Sequence, residues 1–589
     1  MKPIRLPILI SSAAFLLNAC GDSNSTGVDF DSIDVAENVG VSSSSVKSAA
    51  GNESIVDNGF SAENEIVVEV ASSSSQAAVV QEISQPVNIA DVEGEPVISF
   101  ANGSVSIEDD NGCVNLDGKV VTITCSGNYQ LTGKSTDNQV HVQVPDTDTE
   151  GVYLYLNGLQ LASATDAPIY VRNAEKVLLV LVDGTTNTLE DASTRTTSYT
   201  KSNGKLDTTG ATVYAKDDLT IKGNGTLKVT GNYKNGIHTS NDLRFRDVPN
   251  VTVTAKNNAL KGKGSVSIEG GYYTITSTNG DGIKSDEGED EGSVVDGKGV
   301  VIISGGEFVI NAGDDGIQAY NGIYMNGGVT KVTSKNDGLH SDLNIYIDGG
   351  ETTISAGDDG IHADSTLYIK AGSVNITKAV EGMEAFYIRA EGGYTATVAS
   401  DDAWNAAGGS ADANTSSGSQ WGGRGGFGGM TSGSKGYIVI TGGYHYLYAS
   451  GNDVDVLDAN GTATMSGGVV ILEMPSSGGM GNMRGPGGNM GGSSSCSTNM
   501  AGGLIDTDNG FTITGGVLLG FGGQTEEYPK CTATSYSAGT AYGTSSAAFK
   551  PSISGSMIVY GGSVTSVSTV DVGSMKTVTL PNGMVYYEK

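Results

Sequence analysis

Hydrophobic and polar residues alternate in short runs along most of the chain, and each run ends at Gly, Asn or Asp. Alternation with a period of two predicts β-strands with one buried face, and the closing residues predict turns. No stretch keeps a helical period for long. We therefore predict an all-β protein made of many short strands. Typical runs are VVTITC (120–125), VHVQV (140–144), VYLYLNGLQL (152–161), VLLVLVDG (177–184), DLTIKG (218–223) and LKVTG (227–231).

A longer period runs through the middle of the chain. Four acidic residues follow one another at steps of 22, with a fifth 21 residues later and a sixth 34 residues before the first. The long step contains an acidic, Gly-rich insertion at 285–299, which accounts for about 12 extra residues. Such a period in short strands and turns is typical of a β-solenoid, in which equivalent residues of successive coils lie about 4.8 Å apart. The six residues are Asp281, Asp315, Asp337, Asp359, Glu381 and Asp402.

Apolar residues repeat in phase with this acidic column. One set lies two positions after the column, a second lies six positions further on, and a third precedes the column, while glycines recur at one turn. Inward-facing aliphatic stacks with a glycine turn predict a parallel β-helix with about 22 residues per coil. The sets are Val213, Ile237, Leu260, Ile283, Ile317, Leu339, Ile361, Met383 and Trp404; Leu219, Leu243, Ile323, Ile345 and Leu367; Ile310, Val332, Ile354 and Ile376; and Gly306, Gly328, Gly350 and Gly372.

The acidic column requires a cation, because neighbouring unit charges at this spacing repel by about 1 kcal/mol in water and by several times that beside a protein wall. Carboxylate oxygens, with carbonyls of a Gly-rich turn, are the ligands that Ca²⁺ prefers. Acidic residues also lie one position before the column and five positions after it, so three sets of donors border one groove. We predict that several Ca²⁺ ions bind Asp281, Asp286, Asp314, Asp315, Asp337, Asp342, Asp358, Asp359, Asp364, Glu381 and Asp402.

The charge balance excludes some classes of partner. The 589 residues include 66 acidic and 33 basic ones, which gives a formal net charge of −33. A polyanion of this kind does not attract nucleic acid or an anionic membrane surface, and an acidic ligand has to be reached through a bridging cation. We predict a monomer that binds no nucleic acid.

The N-terminus has the features of an export signal. Basic residues precede a short apolar run that is too brief to span a bilayer, and Leu17-Asn18-Ala19-Cys20 resembles the processing site of bacterial lipoproteins. We predict that residues 1–19 are removed and that Cys20 is acylated. The lipid alone would attach the exported protein to the bacterial cell envelope, facing the exterior. Residues 20–95, rich in Ser and acidic residues, are predicted to be a disordered tether.

The folded part is predicted to span residues 96–589. Its calcium-binding coils are expected at about 213–405, and less regular coils with Gly- and Met-rich loops at 406–589. One of these loops, WGGRGGFGGM, contains Trp421, and the other extends from Met474 to Gly492.

Apart from Cys20, four cysteines form an even set in an exported protein. Their positions favour two local disulfides, Cys113 with Cys125 and Cys496 with Cys531, although four cysteines permit three connectivities. A metal role is disfavoured, because no CxxC motif accompanies them.

Three segments carry a resemblance to a known family: APIYVRNAEKVLLVLVDGTTNTLED, VYAKDDLTIKGNGTLKVTGNYKNGIHTSNDL and GDGIKSDEGEDEG. They resemble the bacterial carbohydrate-binding domain family that adopts a right-handed, calcium-loaded parallel β-helix similar to polysaccharide lyases. The resemblance covers roughly residues 97–470. It implies binding of plant cell-wall polysaccharide, both cellulose-like and polygalacturonate-like, without established catalysis.

Three interpretations follow, and we prefer the first. A binding module would bridge uronate carboxylates through Ca²⁺ and stack aromatic rings on sugar faces. A β-eliminating lyase would add a Lys base next to the metal. A scaffold would use the metal for stability alone. The stacking candidates are Tyr320, Trp404 and Trp421, and the candidate bases are Lys261 and Lys284.

Zinc is a weaker expectation than calcium. Three histidines, His238, His340 and His362, lie at outward positions next to the acidic column. Imidazole nitrogens are common zinc ligands, but here hard oxygen donors surround them.

Overall fold

The computed structural model describes residues 93–200, 204–289, 292–406, 436–451, 454–474, 503–513 and 517–521, and four further C-terminal strands. Every element in these ranges is a β-strand, and none of the described residues belongs to a helix that could cross a bilayer. Several predictions lie outside the described residues: the signal peptide, the tether up to residue 92, Cys20, Trp421, Cys496 and Cys531.

The strands are numbered β1 to β47 in chain order. The N-terminal strands are β1 (Val97–Ala101), β2 (Ser104–Glu108), β3 (Val114–Asp117), β4 (Val120–Ile123), β5 (Gly127–Ser135), β6 (Gln139–Gln143), β7 (Val152–Ala162), β8 (Ile169–Asn173), β9 (Val177–Leu181), β10 (Thr186–Glu190), β11 (Tyr199–Thr200) and β12 (Leu206–Asp207). The central strands are β13 (Ala211–Ala215), β14 (Leu219–Gly223), β15 (Thr226–Gly231), β16 (Asn235–Thr239), β17 (Asp242–Phe245), β18 (Asn250–Ala255), β19 (Leu260–Gly262), β20 (Ser265–Ile268), β21 (Tyr272–Ser277), β22 (Ile283–Ser285), β23 (Val300–Ile303), β24 (Glu307–Asn311), β25 (Ile317–Ala319), β26 (Gly322–Met325), β27 (Val329–Thr333), β28 (Leu339–Ser341), β29 (Asn344–Ile347), β30 (Glu351–Ser355), β31 (Ile361–Ile369), β32 (Ser373–Lys378), β33 (Met383–Ala390), β34 (Tyr394–Ala399) and β35 (Trp404–Ala406). The C-terminal strands are β36 (Tyr437–Ile440), β37 (Tyr444–Ala449), β38 (Leu457–Ala459), β39 (Thr462–Met465), β40 (Val469–Glu473), β41 (Asp506–Thr507), β42 (Phe511–Ile513), β43 (Val517–Phe521), β44 (Ser535–Ser537), β45 (Ser556–Gly561), β46 (Lys576–Thr579) and β47 (Val585–Glu588).

Parallel pairing dominates the sheet. From β13 to β28, each strand pairs in parallel with the strand three further along, so that one coil contributes three strands. The first stack contains β16, β19, β22, β25 and β28; the second contains β17, β20, β23, β26 and β29; the third contains β18, β21, β24, β27 and β30. The all-β prediction is confirmed, and the pairing fits a solenoid-like β-helix.

The predicted apolar columns form the core. Ile317 pairs with Leu339 and Leu339 with Ile361, so residues 22 positions apart are direct neighbours in the first stack. All nine residues of the column that begins at Val213 are completely buried. Each such aliphatic side chain stabilises the fold by about 1.5 to 3 kcal/mol.

The glycine turn and the insertion also lie where the 22-residue period predicted them. Gly306 and Gly328 have φ angles of 102° and 83°, a left-handed conformation that glycine adopts without strain. Ile283 pairs with Ile317 across the insertion, and pairing in the second stack resumes at β23. The extra residues therefore leave the coil between β22 and β23 without changing its register.

A short hairpin lies near the start of the described chain. Strands β3 and β4 pair antiparallel, and a disulfide joins Cys113 to Cys125 across them. This confirms one of the two predicted local pairs.

Candidate metal groove

The acidic column lies in the turns that lead into the first stack. Asp315 precedes β25, Asp337 precedes β28 and Asp359 precedes β31, and in each case one Gly separates the acid from the buried aliphatic residue. Because the aliphatic residues are in register, the acids fall into line beside them. Asp315 and Asp337 are each only 5% exposed.

A side-chain oxygen of Asp315, and likewise one of Asp337, holds the backbone of the next coil. The Asp337 N–H donates to Asp315 Oδ1 at 3.0 Å, and the Asp359 N–H donates to Asp337 Oδ1 at 2.9 Å. This role was not predicted, and it explains how Asn can occupy the same column upstream. The corresponding bonds run from Asn258 to Asn235 (3.1 Å), from Asp281 to Asn258 (3.0 Å) and from Asp315 to Asp281 (3.2 Å).

Two histidines enter the centre of the ladder. His340 Nδ1 lies 3.2 Å from Asp315 Oδ2 and 3.3 Å from Asp337 Oδ2. His362 Nδ1 lies 2.9 Å from Asp359 Oδ2. Burial acts to lower the pKa of both rings, but the surrounding carboxylates outweigh it, so that the pKa of each is raised. This environment favours the charged imidazolium form of both rings beside the acids.

The two lysines proposed as lyase bases are ion-paired. Lys261 pairs with Asp286, and Lys284 Nζ lies 3.6 Å from Asp281 Oδ2 and 3.7 Å from Glu289 Oε2. Burial acts to lower the pKa of Lys284, but the carboxylates, Asp281 first, outweigh it and the pKa is raised. A general base has to be neutral to accept a proton, and this environment favours the charged ammonium.

Burial raises the pKa of most ladder carboxyl groups, because it removes the charged form from water. It is the largest cause at Asp281, where the pKa rises to about 6, at Asp337, where it rises to about 7, and at Glu381, where it rises to about 9. Asp315 is different. Burial acts to raise its pKa, but the hydrogen bond and charge of His340 lead the opposing contributions, and the pKa is lowered.

The ladder divides into groups with different donor sets. In each group, three ligand atoms lie within 4.8 Å of one another. Two groups contain only oxygen donors, and each of the other three contains at least one histidine. The oxygen groups are Asp281, Asp314 and Asp315, and Asp359, Glu381 and Glu384; the histidine groups are Asp315, Asp337 and His340, Asp337, Asp359 and His362, and His340, His362 and Asp364.

The two oxygen groups fit Ca²⁺, which takes six to eight oxygen ligands, whereas the histidine groups fit it poorly. Further oxygen donors border the groove. Asp286 Oδ1, Gln318 Oε1 and Asn405 Oδ1 are buried and have no hydrogen-bond partner. Buried polar atoms without a partner are uncommon in folded proteins, and a bound cation would satisfy them.

Four of the predicted ligands stand outside these groups. Asp286 pairs with Lys261, and Asp342 accepts a hydrogen bond from Gln318 Nε2 at 3.3 Å. Asp358 is exposed at the rim, and Asp402 Oδ1 accepts the Asp455 N–H at 2.6 Å. The other seven predicted ligands all belong to one of the groups.

Sequence reasoning missed two acids beyond Asp402. Asp455 continues the acidic column, 53 positions after Asp402, and Asp458 pairs in register with Asn405 in the neighbouring column that contains His340, His362 and Glu384. Burial, followed by neighbouring carboxylates, raises the pKa of Asp455 and of Asp458 to about 8. The available signal was the apolar Leu457, which continues the column of Trp404, 53 positions further along the chain.

One stacking candidate needs correction. Trp404 is completely buried, so its ring packs in the core and is not exposed to a sugar. The residue belongs to the apolar column, which points inward. Tyr320 is half-buried and lies close to Gly288. Exposed faces of the second stack instead carry a row of stacked rings, Tyr324, Tyr346 and Tyr368, with centroids 4.7 and 4.8 Å apart.

Comparison with known proteins bears on the segment that contains this groove. Residues 117–382 match the model of a family described as carbohydrate-binding domain-containing protein. Residues 117–382 belong to this family. The carbohydrate-binding domain therefore includes both lysines, both ladder histidines and the ladder from Asp281 to Glu381.

Two similar proteins come from one bacterium. A carbohydrate-binding domain-containing protein of Acetivibrio thermocellus is 37% identical over 171 residues, which are 29% of this chain and 57% of that protein. The chain thus spans little more than half the length of this relative. A solved structure titled as the polysaccharide lyase-like protein from C. thermocellum, gadolinium derivative, is 32% identical, with 46% of this chain and 96% of that chain covered and a TM-score of 0.37.

Proposed function

We propose that this protein is a cell-surface lipoprotein that binds plant cell-wall polysaccharide through Ca²⁺ held in the acidic groove. Pectate or polygalacturonate is the preferred target, with cellulose as a second one, and the coils are proposed to wind as a right-handed β-helix. One observation carries the proposal. Two oxygen-only groups lie along a mostly buried file of carboxylates, and the segment that matches the carbohydrate-binding family contains all of these donors except Glu384, which lies two residues beyond its end.

The groove residues would form two separate calcium sites. Asp281, Asp314 and Asp315 would hold one ion, and Asp359, Glu381 and Glu384 another. A bound Ca²⁺ offers open coordination positions to the carboxylates of a uronate chain. The chain's own contribution is rigidity, because the backbone hydrogen bonds of the ladder fix the spacing between successive donors.

Calcium is expected to be required for binding of polygalacturonate. Asp314→Asn removes one donor charge from an exposed side chain that takes no part in the backbone ladder. We expect calcium affinity to fall about tenfold and polymer retention to fall with it. The measurements are calorimetric calcium titration and pull-down on insoluble polygalacturonate, with and without chelator.

Glu351→Gln is the matched control, because it removes the same charge from the exposed edge of β30. Retention that is indifferent to chelator would contradict the proposal, and calcium-dependent thermal stability without retention would favour a scaffold. Release of unsaturated product that absorbs in the ultraviolet would favour a lyase.

Membrane attachment is expected to depend on Cys20. Cys20→Ser removes the thiol that would carry the lipid, so the protein should move from the detergent phase to the aqueous phase in phase partition of cell extracts. Ser25→Ala, a substitution nearby that leaves Cys20 in place, serves as the control. Continued partition of Cys20→Ser into detergent would contradict lipidation.

A further inference from the structure

A cavity of about 410 Å³ opens on the N-terminal coils, away from the acidic ladder. Strand β8 contributes Tyr170 and Arg172, which alternate onto the same face. Lys216, which follows β13, lies on the neighbouring coil, where its N–H donates to Val171 O at 3.1 Å. The wall opposite is formed by the segment between β10 and β13, including Tyr199. The volume suits a small sugar.

The wall is held in place by a buried arginine. Arg195 is only 1% exposed in its side chain, and its Nη2 lies 2.6 Å from Asp191 Oδ2. Its Nε donates to Thr209 O at 2.8 Å, and its guanidinium packs over the ring of Tyr233 at 4.4 Å. These contacts tie Arg195, which comes two residues before the lining residue Thr197, to Asp191 and to Thr209, itself a lining residue.

The charge of this cavity is opposite to that of the protein. Its lining includes Arg172 and Lys216 but no carboxylate, although the whole chain carries a net charge of −33. Neither cation forms an ion pair with another described residue; Arg172 lies over the Tyr170 ring at 5.2 Å, and Lys216 over the Tyr199 ring at 4.5 Å. Two cations that form no close ion pair with the described carboxylates favour an anionic ligand.

Two carboxylates lie near the cavity without lining it. Asp146 Oδ1 accepts a hydrogen bond from Asn173 Nδ2 at 2.7 Å, and Asp217 Oδ2 accepts one from the Ala174 N–H at 3.5 Å. Both accept hydrogen bonds from neutral groups, although Asp217 is close enough to Lys216 for the ammonium charge to act on its carboxyl group. Hence the basic character at the lining is local, and composition alone could not predict it.

The remaining lining suits a sugar ring. The half-buried Tyr199 presents aromatic surface beside the buried Tyr170, and Tyr199 Oη is fixed by a 2.8 Å hydrogen bond to Tyr214 Oη. Gln143 and Ser198 add an amide and a hydroxyl, which can exchange hydrogen bonds with sugar hydroxyls. Aromatic surface with a few polar groups is the usual lining of a small-molecule site.

We infer that this cavity binds one uronate unit of an acidic polysaccharide directly, with Arg172 and Lys216 on its carboxylate and no bridging metal. A planar guanidinium matches a planar carboxylate through two parallel hydrogen bonds, which favours a carboxylated over a neutral sugar. The inference rests on the proposed carbohydrate-binding function. It adds a second, metal-independent contact on strands that continue the first stack, since β8 pairs with β13 and β13 with β16.

The test is calorimetric titration of the full chain with trigalacturonate at pH 6 in chelator. We expect binding that is lost with the methyl-esterified trimer, which keeps the rings and lacks the charge. Arg172→Gln and Lys216→Gln should each weaken binding by about tenfold, and Arg172→Lys should recover part of the loss. Lys228→Gln, an exposed lysine on β15, is the matched control and should bind normally.

Several results would overturn the inference: no binding in chelator, equal binding of the ester, or normal binding by Arg172→Gln. The ester comparison uses the unaltered protein, so it stands even if a variant folds poorly. Normal, calcium-dependent retention of Arg172→Gln and Lys216→Gln on polygalacturonate would contradict uronate binding in the cavity. It would still agree with calcium-dependent binding in the groove. Loss of all retention by the unaltered protein would defeat the proposed function itself.

Discussion

The metal-free protein is expected to lose thermal stability as the pH rises from 5 to 9. The carboxyl groups of Asp281, Asp337, Asp455 and Glu381 have pKa values of about 6, 7, 8 and 9 in the folded chain, far above their ordinary values. The folded state therefore binds protons more tightly than the unfolded chain. This stabilisation is present at low pH and is lost as the pH rises through the folded pKa values.

The histidines act in the same direction, since the raised pKa of His340 and of His362 also favours the protonated folded state. Asp315 acts in the opposite direction, because its pKa is lowered and its contribution is lost in acid. With one pKa unit worth about 1.4 kcal/mol, the several raised groups together predict a fall in melting temperature on the order of 10 °C.

Calcium should reverse this trend. Metal ligands bind in the deprotonated form, so added Ca²⁺ is expected to raise the melting temperature most at pH 9 and least at pH 5. Scanning calorimetry in chelator and in calcium at pH 5, 7 and 9 measures both effects. A metal-free melting temperature that rises with pH, or a calcium effect that is largest at pH 5, would contradict the buried acidic file.

Glu381→Gln tests the contribution of a single ladder carboxyl group to the pH dependence. The amide mimics the protonated acid and can still accept the hydrogen bond that Asn405 Nδ2 donates to Glu381 Oε2 at 2.9 Å. We expect this variant to be more stable than the parent at pH 9 without metal, and less responsive to calcium. Glu351→Gln, at an exposed position, should change neither property.

The sequence predicted the core more completely than the chemistry beside it. In a parallel stack, a one-residue shift would move every apolar side chain of a strand to the wrong face, so the period of 22 is enough to set the register. The column through Ile317, Leu339 and Ile361 follows from this alone. The same reasoning placed Trp404 inward, and it should have outweighed the expectation that an isolated Trp stacks on sugar.

The charge partners of the ladder could not be deduced in the same way. The period shows that His340 and Lys284 share a column next to the acids. It does not show whether a long or rotatable side chain turns towards the acids or into solvent. That choice depends on burial, which makes an unpaired carboxylate costly and favours a close cation. Sequence reasoning therefore did not count His340, His362 and Lys284 among the groups that lie beside the acids as cations.

The basic cavity lay beyond sequence reasoning for another reason. The segment that forms its wall, between β10 and β13, contains no repeat, and the cations come from two different coils. Whole-chain charge pointed away from direct recognition of an acidic ligand. The local charge depends on which residues a segment without a repeat brings together in the folded chain. The sequence pattern does not show this.

Gly338→Ala is expected to destabilise the solenoid by about 3 kcal/mol, even though it adds only one methyl group. A Cβ at this position would lie 2.4 Å from Gly360 O and 2.4 Å from Ile354 Cγ2. The first atom is backbone of the next coil, and the second belongs to the core. Neither can move freely, because the Gly338 N–H donates to Asp359 O at 2.9 Å and Ile354 is completely buried.

The same crowding follows every acid of the central ladder, which explains why a glycine comes directly after Asp315, Asp337 and Asp359. Because the methyl group would push apart the coils that carry Asp337 and Asp359, the variant should lose calcium affinity together with stability. Urea denaturation and calcium titration measure the two losses. Gly210→Ala is the control, since its Cβ would meet only His238 Nδ1 at 3.7 Å. Equal stability of the two variants would show that the coils can separate locally, and the rigid spacing on which the metal groove depends would then be wrong.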